Sequence, residues 1–224
     1  MVEAQSQVAT LELVDDLEEQ RLLEELLEAT KPGRLPDGPH YLIATPFRYP
    51  PLEHGSRYGR VDERGIFYGS ERVETALAEL AFYTLMFVGH AEGFEMPMVD
   101  KTAFTFGYDT RAGVDTTAPA FDGRRERLEA SGDYGESQRL GSHARDGGAE
   151  VIRFRSVRCP EGGANSAVLS LAALEPEPRT MTGWTMRVRE GRVDLLEKHA
   201  ARPRRLSFAA AEFAARGVDA HPDR

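Results

Sequence analysis

Apolar positions recur along this chain with two periods, one helical and one alternating. In ATLELVDDLEEQRLLEELLEATKPG, leucines return near helical spacing between acidic residues. This predicts an amphipathic helix that Thr10 caps and Lys31-Pro32-Gly33 stops. A Pro/Gly-rich connector, KPGRLPDGPH, follows and marks a domain start, dividing the chain into residues 1–35 and 36–224. HYLIATPF then reads as a strand ended by Pro50-Pro51, and GIFYGS as a short strand between glycines. Ser70 stands where a helix N-cap belongs, ahead of ERVETALAELAFYTLMFVGH. That helix is apolar almost all round, which marks it as buried. Between Ala76 and Val88 its only charged side chain is Glu79.

Further on, KTAFTFGYDT alternates as a strand does. Residues 111–145 are rich in loop-forming and charged side chains, with a helix expected around ESQRLGSHARDGG. EVIRFRSV and NSAVLSLAAL read as strands. GWTMRVREGRVDLLE reads as a hairpin turning at Glu190-Gly191, and SFAAAEFAARG as a last short helix with Gly217 beyond its end. Helices and strands are interspersed without regular strand–helix alternation. The expected class is therefore α+β, with a mixed or antiparallel sheet core and flanking helices.

Charge and composition narrow the function. The 224 residues carry a formal net charge of -9, and nine acidic against three basic side chains fall within the first 34. An acidic chain argues against nucleic-acid binding, and RPRR at 202–205 is too short a basic cluster to reverse that. No stretch of eighteen consecutive apolar residues predicts a membrane span, and no signal peptide is expected at the N-terminus, so a cytoplasmic protein is the plain reading. The single cysteine, Cys159, excludes an internal disulfide and any multi-cysteine metal site. The six histidines make no ligand spacing, so no metal is expected. The N-terminal helix reads either as packed on the main domain or as a contact for a dimer or another partner.

The candidate chemistry centres on Glu79. A carboxylate in a buried helix must be paired, hydrogen-bonded or neutralised. Two readings stand: a buried Glu–Arg pair holding the 55–65 loop onto the helix, or a carboxylate lining a pocket at the mouth of that loop. Arg48, Arg57, Arg60 and Arg64 offer planar forks suited to phosphate, set beside glycines where backbone approaches a ligand closely. Tyr49, Tyr58 and Tyr68 alternate with them and read either as stacking surfaces or as core. The glycine pattern is neither a phosphate-binding loop nor a dinucleotide fingerprint. Cys159 has no evident base beside it and reads as a small buried residue.

FRYPP, GSRYG, GIFYGSERVETALAE, RFRSVR and GGANSAVL, in that order, resemble the RES-domain toxins of bacterial toxin–antitoxin pairs. The resemblance runs from about His40 to about Glu197, and the N-terminal helix lies outside it. It implies a fold like that of ADP-ribosyltransferases and a protein that consumes NAD as substrate. Matched residue by residue, it implies Glu79 and Ser156 as site residues, with Arg48 as the first arginine, Tyr68 as the strand tyrosine and Asn165 as the following asparagine. The second arginine is Arg57 or Arg60. Arg57, followed by Tyr58, fits the glycine-rich Arg–aromatic step better, and Arg60 is held in reserve.

The resemblance further implies that Arg48 and Arg57 hold the diphosphate, Tyr68 flanks the nicotinamide, and Ser156 and Asn165 orient the carboxamide or a ribose hydroxyl. Glu79 would stabilise positive charge on the ribose as the nicotinamide bond breaks. The expected activity is NAD depletion by hydrolysis or phosphorolysis. Transfer of ADP-ribose to a protein is the second reading, and a non-enzymatic interaction module the third. Expected partners are a cognate antitoxin with an Xre-type helix-turn-helix and, as a possibility the family raises, a second copy of the chain.

Overall fold

In this computed structural model the residues described are 2–3, 18–19, 21–22, 26, 38–49, 53–90, 96–215 and 217. The expected N-terminal helix falls mostly outside them, and its few described positions are helical. The Pro50-Pro51 stop also lies outside.

Two sheets form the framework. The first is antiparallel throughout and orders β1 (Val2–Glu3), β3 (Val99–Thr105), β7 (Thr180–Arg189), β8 (Arg192–Glu197) and β9 (Arg205–Ala209) side by side. The second orders β2 (Phe67–Ser70), β6 (Ala164–Val168), β5 (Val151–Arg155) and β4 (Gly113–Asp115), with β4 parallel to β5 and the rest antiparallel. The class is α+β, as the interspersed pattern predicts. The hairpin turns at Glu190-Gly191, where φ values of 50° and 68° give the left-handed backbone of a tight two-residue turn.

The long apolar helix is α2 (Val73–His90). It lays Leu77, Ala78, Ala81 and Phe82 on the first sheet against Trp184, Met186, Val193, Leu195 and Phe208. It is not buried all round, because Tyr83 and Phe87 remain 43% and 62% exposed. The second sheet buries both faces, as the alternation of side chains along a strand requires. Ile152, Phe154 and Ala167 pack with Tyr58 and with Ala144 of α4 (Gly135–Asp146); Val151 and Val168 pack with Phe67 and Ile43. Among the described residues two short helices follow, α3 (Arg125–Leu128) before α4 and α5 (Ala210–Ala214) after β9.

Four expectations are corrected. HYLIATPF is not a strand but α1 (Tyr41–Arg48). Periodicity cannot separate a short buried strand from one face of a short helix. Two observations show what favours the helix: the His40 ring accepts from the Leu42 N–H at 3.2 Å, and Ile43 is fully buried in the second sheet's core. Ser70 does not cap α2. It ends β2 and donates to Asn165 Oδ1 at 2.7 Å, and the helix opens with Ala76 N–H bonding the Arg72 carbonyl. NSAVLSLAAL is strand only to Val168, after which residues 171–173 form a 3-10 turn capped by Ser170. SFAAAEFAARG begins as β9, so the helix starts only at Ala210; β4 was not foreseen.

Candidate functional site

The two sheets part on one side of α2, and a cavity of about 840 Å³ opens between them. Its walls are β2 with Phe154 and Asn165 from the second sheet, Ala103–Phe106 with Thr180 and Thr182 from the first, and Ala76, Glu79, Leu80 and Tyr83 from α2. Its size falls within the roughly 300–1,000 Å³ common to small-molecule sites. At Gly69 the wall is tightly packed, and a Cβ there would lie 2.3 Å from the Phe106 ring.

Glu79 lines this cavity with its side chain 20% exposed. Three donors hold it. Ser156 Oγ reaches Oε1 at 2.7 Å, Asn165 Nδ2 reaches the same oxygen at 2.8 Å, and Arg158 Nη1 reaches Oε2 at 2.9 Å. Each donor is itself fixed. Ser156 Oγ accepts from the Cys159 N–H at 3.0 Å, while Asn165 Oδ1 accepts from Ser70. Arg158 Nη2 donates to the Tyr134 hydroxyl at 2.6 Å, and its guanidinium lies over Phe82 and Tyr83, 4.7 and 4.5 Å from the ring centroids. Burial works against the Arg158 charge, but Glu79 and the two tyrosines outweigh it and raise its basicity above that of a free arginine.

Both sequence readings of Glu79 therefore hold in part: the carboxylate is ion-paired and it lines a pocket. The partner, though, is not an arginine of the 55–65 loop. Arg57 comes from that loop and lines the same cavity, but it donates from Nη1 to the carbonyls of Leu128 and Ala130 at 2.9 and 3.1 Å. Its guanidinium lies 4.6 Å from the centroid of the Tyr134 ring. Arg57 is 7% exposed, and its buried Nη2 has no hydrogen-bond partner. The other arginines on the cavity wall, Arg72, Arg158 and Arg204, all pair with carboxylates.

Tyr68 presents its ring to the cavity while its hydroxyl is turned inward, accepting from the Tyr58 N–H at 3.0 Å and meeting Ser56 Oγ at 2.9 Å. Burial of that end pushes the phenol up to about 12 although the ring is 39% exposed. Tyr58 behind it is fully buried and likewise pushed up to about 12, chiefly by burial.

The structure thus brings together Arg57, Tyr68, Glu79, Ser156 and Asn165. It leaves Arg48 and Arg60 off the cavity wall. Arg48 ends α1 with its guanidinium 5.9 Å from the Tyr49 ring centroid. Arg60 is exposed, its Nε 3.6 Å from Asp62. Ser156 is 1% exposed and reaches the cavity only through Glu79.

Sequence reasoning missed Arg158, Tyr83 and Tyr134. The signal for Arg158 was present in RSVR, two residues after Ser156, and Tyr83 stands one helical turn from Glu79. Tyr134, in a loop far along the chain, gave none. Among the described residues no group of three or more His, Cys, Asp or Glu could hold a metal ion, and no helix is long and apolar enough to cross a membrane.

Among curated proteins, no relative matches. The family model described as RES domain matches residues 31–188. That span carries every side chain that bonds Glu79, together with Arg57 and Tyr68. By this match the chain belongs to the RES domain family, whose members are NAD-related toxin domains.

Proposed function

We propose that this protein consumes NAD by breaking the bond between nicotinamide and ribose, and that it acts as a toxin held in check by a cognate antitoxin. The observation that carries the reading is the placement of Glu79: a carboxylate fixed by three donors in the wall of a cavity that also holds a buried arginine with a free donor. A cleft between two sheets is compatible with an ADP-ribosyltransferase-like organisation.

Cleaving the nicotinamide bond builds oxocarbenium character on the ribose. A carboxylate held in place favours that charge more than it favours the neutral ground state, which is the condition for catalysis. Glu79 offers about four acceptor sites. Three are filled, which leaves one on Oε2 for a ribose hydroxyl. Arg57, which lines the cavity and keeps one unpartnered donor, is the arginine placed for the diphosphate, and Tyr68 is the ring available to flank nicotinamide. Asn165 and Ser156 act through Glu79. Ser156 is no nucleophile in this scheme, since its proton is committed to the Glu79 carboxylate. Arg48 and Arg60 take no part.

The antitoxin, expected to carry an Xre-type helix-turn-helix, would cover the mouth of this cavity and supply the DNA binding that an acidic toxin lacks.

The test is incubation of purified protein and of Glu79→Gln with NAD, with products resolved by chromatography. Nicotinamide release by the wild type, absent in Glu79→Gln, is the expected result. An inert wild type that does not bind NAD overturns the reading. The second product names the acceptor: free ADP-ribose means water, its phosphorylated form means phosphate, and a labelled protein means transfer.

A further inference from the structure

We propose that Arg158 is a positioning residue for Glu79, clamped by the same turn of α2 that carries the carboxylate so that the two move as one unit. The inference rests on the NAD-cleaving reading for its kinetics, but its geometry stands apart from that reading.

The clamp follows from helical spacing. Glu79, Phe82 and Tyr83 stand at i, i+3 and i+4, so their side chains share one face of α2. The Arg158 guanidinium lies on that face. It bonds the carboxylate at one end of the triplet and covers both rings at the other. A single cation thereby holds one helical turn from end to end. The loop bearing Arg158 is fixed independently. Ser156 N–H bonds the Gly163 carbonyl at 2.8 Å, Gly162 N–H bonds the Cys159 carbonyl at 3.0 Å, and Cys159 N–H bonds Ser156 Oγ. One short loop therefore delivers two of the three donors to Glu79, and Arg158 is the only charged one.

Tyr134 extends the unit. Its hydroxyl accepts from Arg158 Nη2, and its ring lies against Arg57. The residue that fixes the carboxylate's partner also fixes the arginine with the free donor. Tyr134 thus links the anion-binding and charge-stabilising ends of the cavity. Lysine at 158 could keep the charge but not the second bond or the flat stack, because only guanidinium offers a planar fork.

The experiment measures nicotinamide release from NAD by wild type, Arg158→Met, Arg158→Lys, Arg158→Ala with added methylguanidinium, and Tyr134→Phe, together with a crystal structure of Arg158→Met. A carboxylate displaced by about 1 Å costs about 10²-fold in rate. Arg158→Met should therefore lose about that much kcat with KM within about twofold, and its Glu79 carboxylate should leave its present position. Arg158→Lys should recover only part of the loss. Methylguanidinium should restore about tenfold in Arg158→Ala by refilling the vacated site. Tyr134→Phe removes one hydroxyl and keeps the fold; it should lower kcat about fivefold and serves if Arg158→Met does not fold.

Unchanged kcat in the variants, a loss confined to KM, or an unmoved Glu79 carboxylate would each overturn the proposal. A wild type that neither cleaves nor binds NAD defeats the functional reading alone, and the crystal structure of Arg158→Met then still decides the role of Arg158.

Discussion

Arg153 and Arg158 stand five residues apart, one on β5 and one just beyond it, and each bonds a glutamate. Arg153, on an inner strand of the second sheet, reaches Glu71 just after β2 and Asp115 on β4, with its side chain 36% exposed and that of Glu71 41% exposed. Arg158 reaches Glu79 with its side chain 8% exposed. The chemistry is the same and the setting is opposite. At the surface, water competes for both charges and the pair adds little. In the cavity wall, each charge depends on the other, since a lone buried ion has lost its hydration with nothing to replace it. A pair of the second kind is a costly way to hold a helix on a sheet. It is a good way to keep one carboxylate fixed where a ligand would meet it.

The comparison breaks first at Glu79. Glu79→Gln should abolish NAD turnover by about 10³-fold or more while the fold survives, as circular dichroism and nicotinamide release together would show. The next largest effect is on stability. Arg158→Met strands the Glu79 charge and should cost about 3 kcal/mol in urea unfolding. The double variant Glu79→Gln/Arg158→Met removes both charges and should recover much of that loss. If it is no more stable than Arg158→Met, the two side chains are not coupled.

Titration sharpens the contrast from both ends of the pH scale. Tyr58 is pushed up to about 12 by burial. A group whose folded value is raised gives stability that is complete below its ordinary value near 10 and is lost as pH rises toward 12. Denaturant midpoints should therefore fall across that range, with Tyr58 alone accounting for up to about 3 kcal/mol. Tyr68 contributes in the same direction. The first sheet responds to acid instead. Glu197 is held down to about 2 by its bonds from the Arg204 side chain and backbone. Stability from a depressed carboxylate is present above its ordinary value near 4 and fades as pH falls toward 2, so an Arg204→Ala variant should lose part of the acid sensitivity that the wild type shows there. The smallest effect belongs to the exposed cluster: Arg153→Ala should cost below about 1 kcal/mol and leave turnover unchanged.

Sequence patterns resolved best where one face decided the structure. The alternation in KTAFTFGYDT, the Glu190-Gly191 turn and the long apolar run of α2 are local signals, and each became the expected element, the first only as far as Thr105. HYLIATPF failed because eight residues with mixed periodicity fit either a strand or a helix. The choice fell to His40 capping the turn and to Ile43 finding a place in the second sheet's core.

For the site, the sequence by itself determined that Glu79 was anomalous. A charge in an apolar helix needs a partner whatever the fold, because desolvation cost depends on chemistry and not on topology. It also determined the family, through five short pieces in order. Only the tertiary structure decided which arginine answered that charge. Arg57, Arg60 and Arg64 lie nearer to Glu79 along the chain, yet the partner is Arg158, brought in because β5 pairs with β6 and its loop returns over α2. It likewise decided that Arg57 faces the cavity while Arg48 and Arg60 do not. Residue types set which interactions a side chain needs. Strand pairing and helix packing set which side chains stand close enough to supply them, and that distance is not encoded in any local stretch.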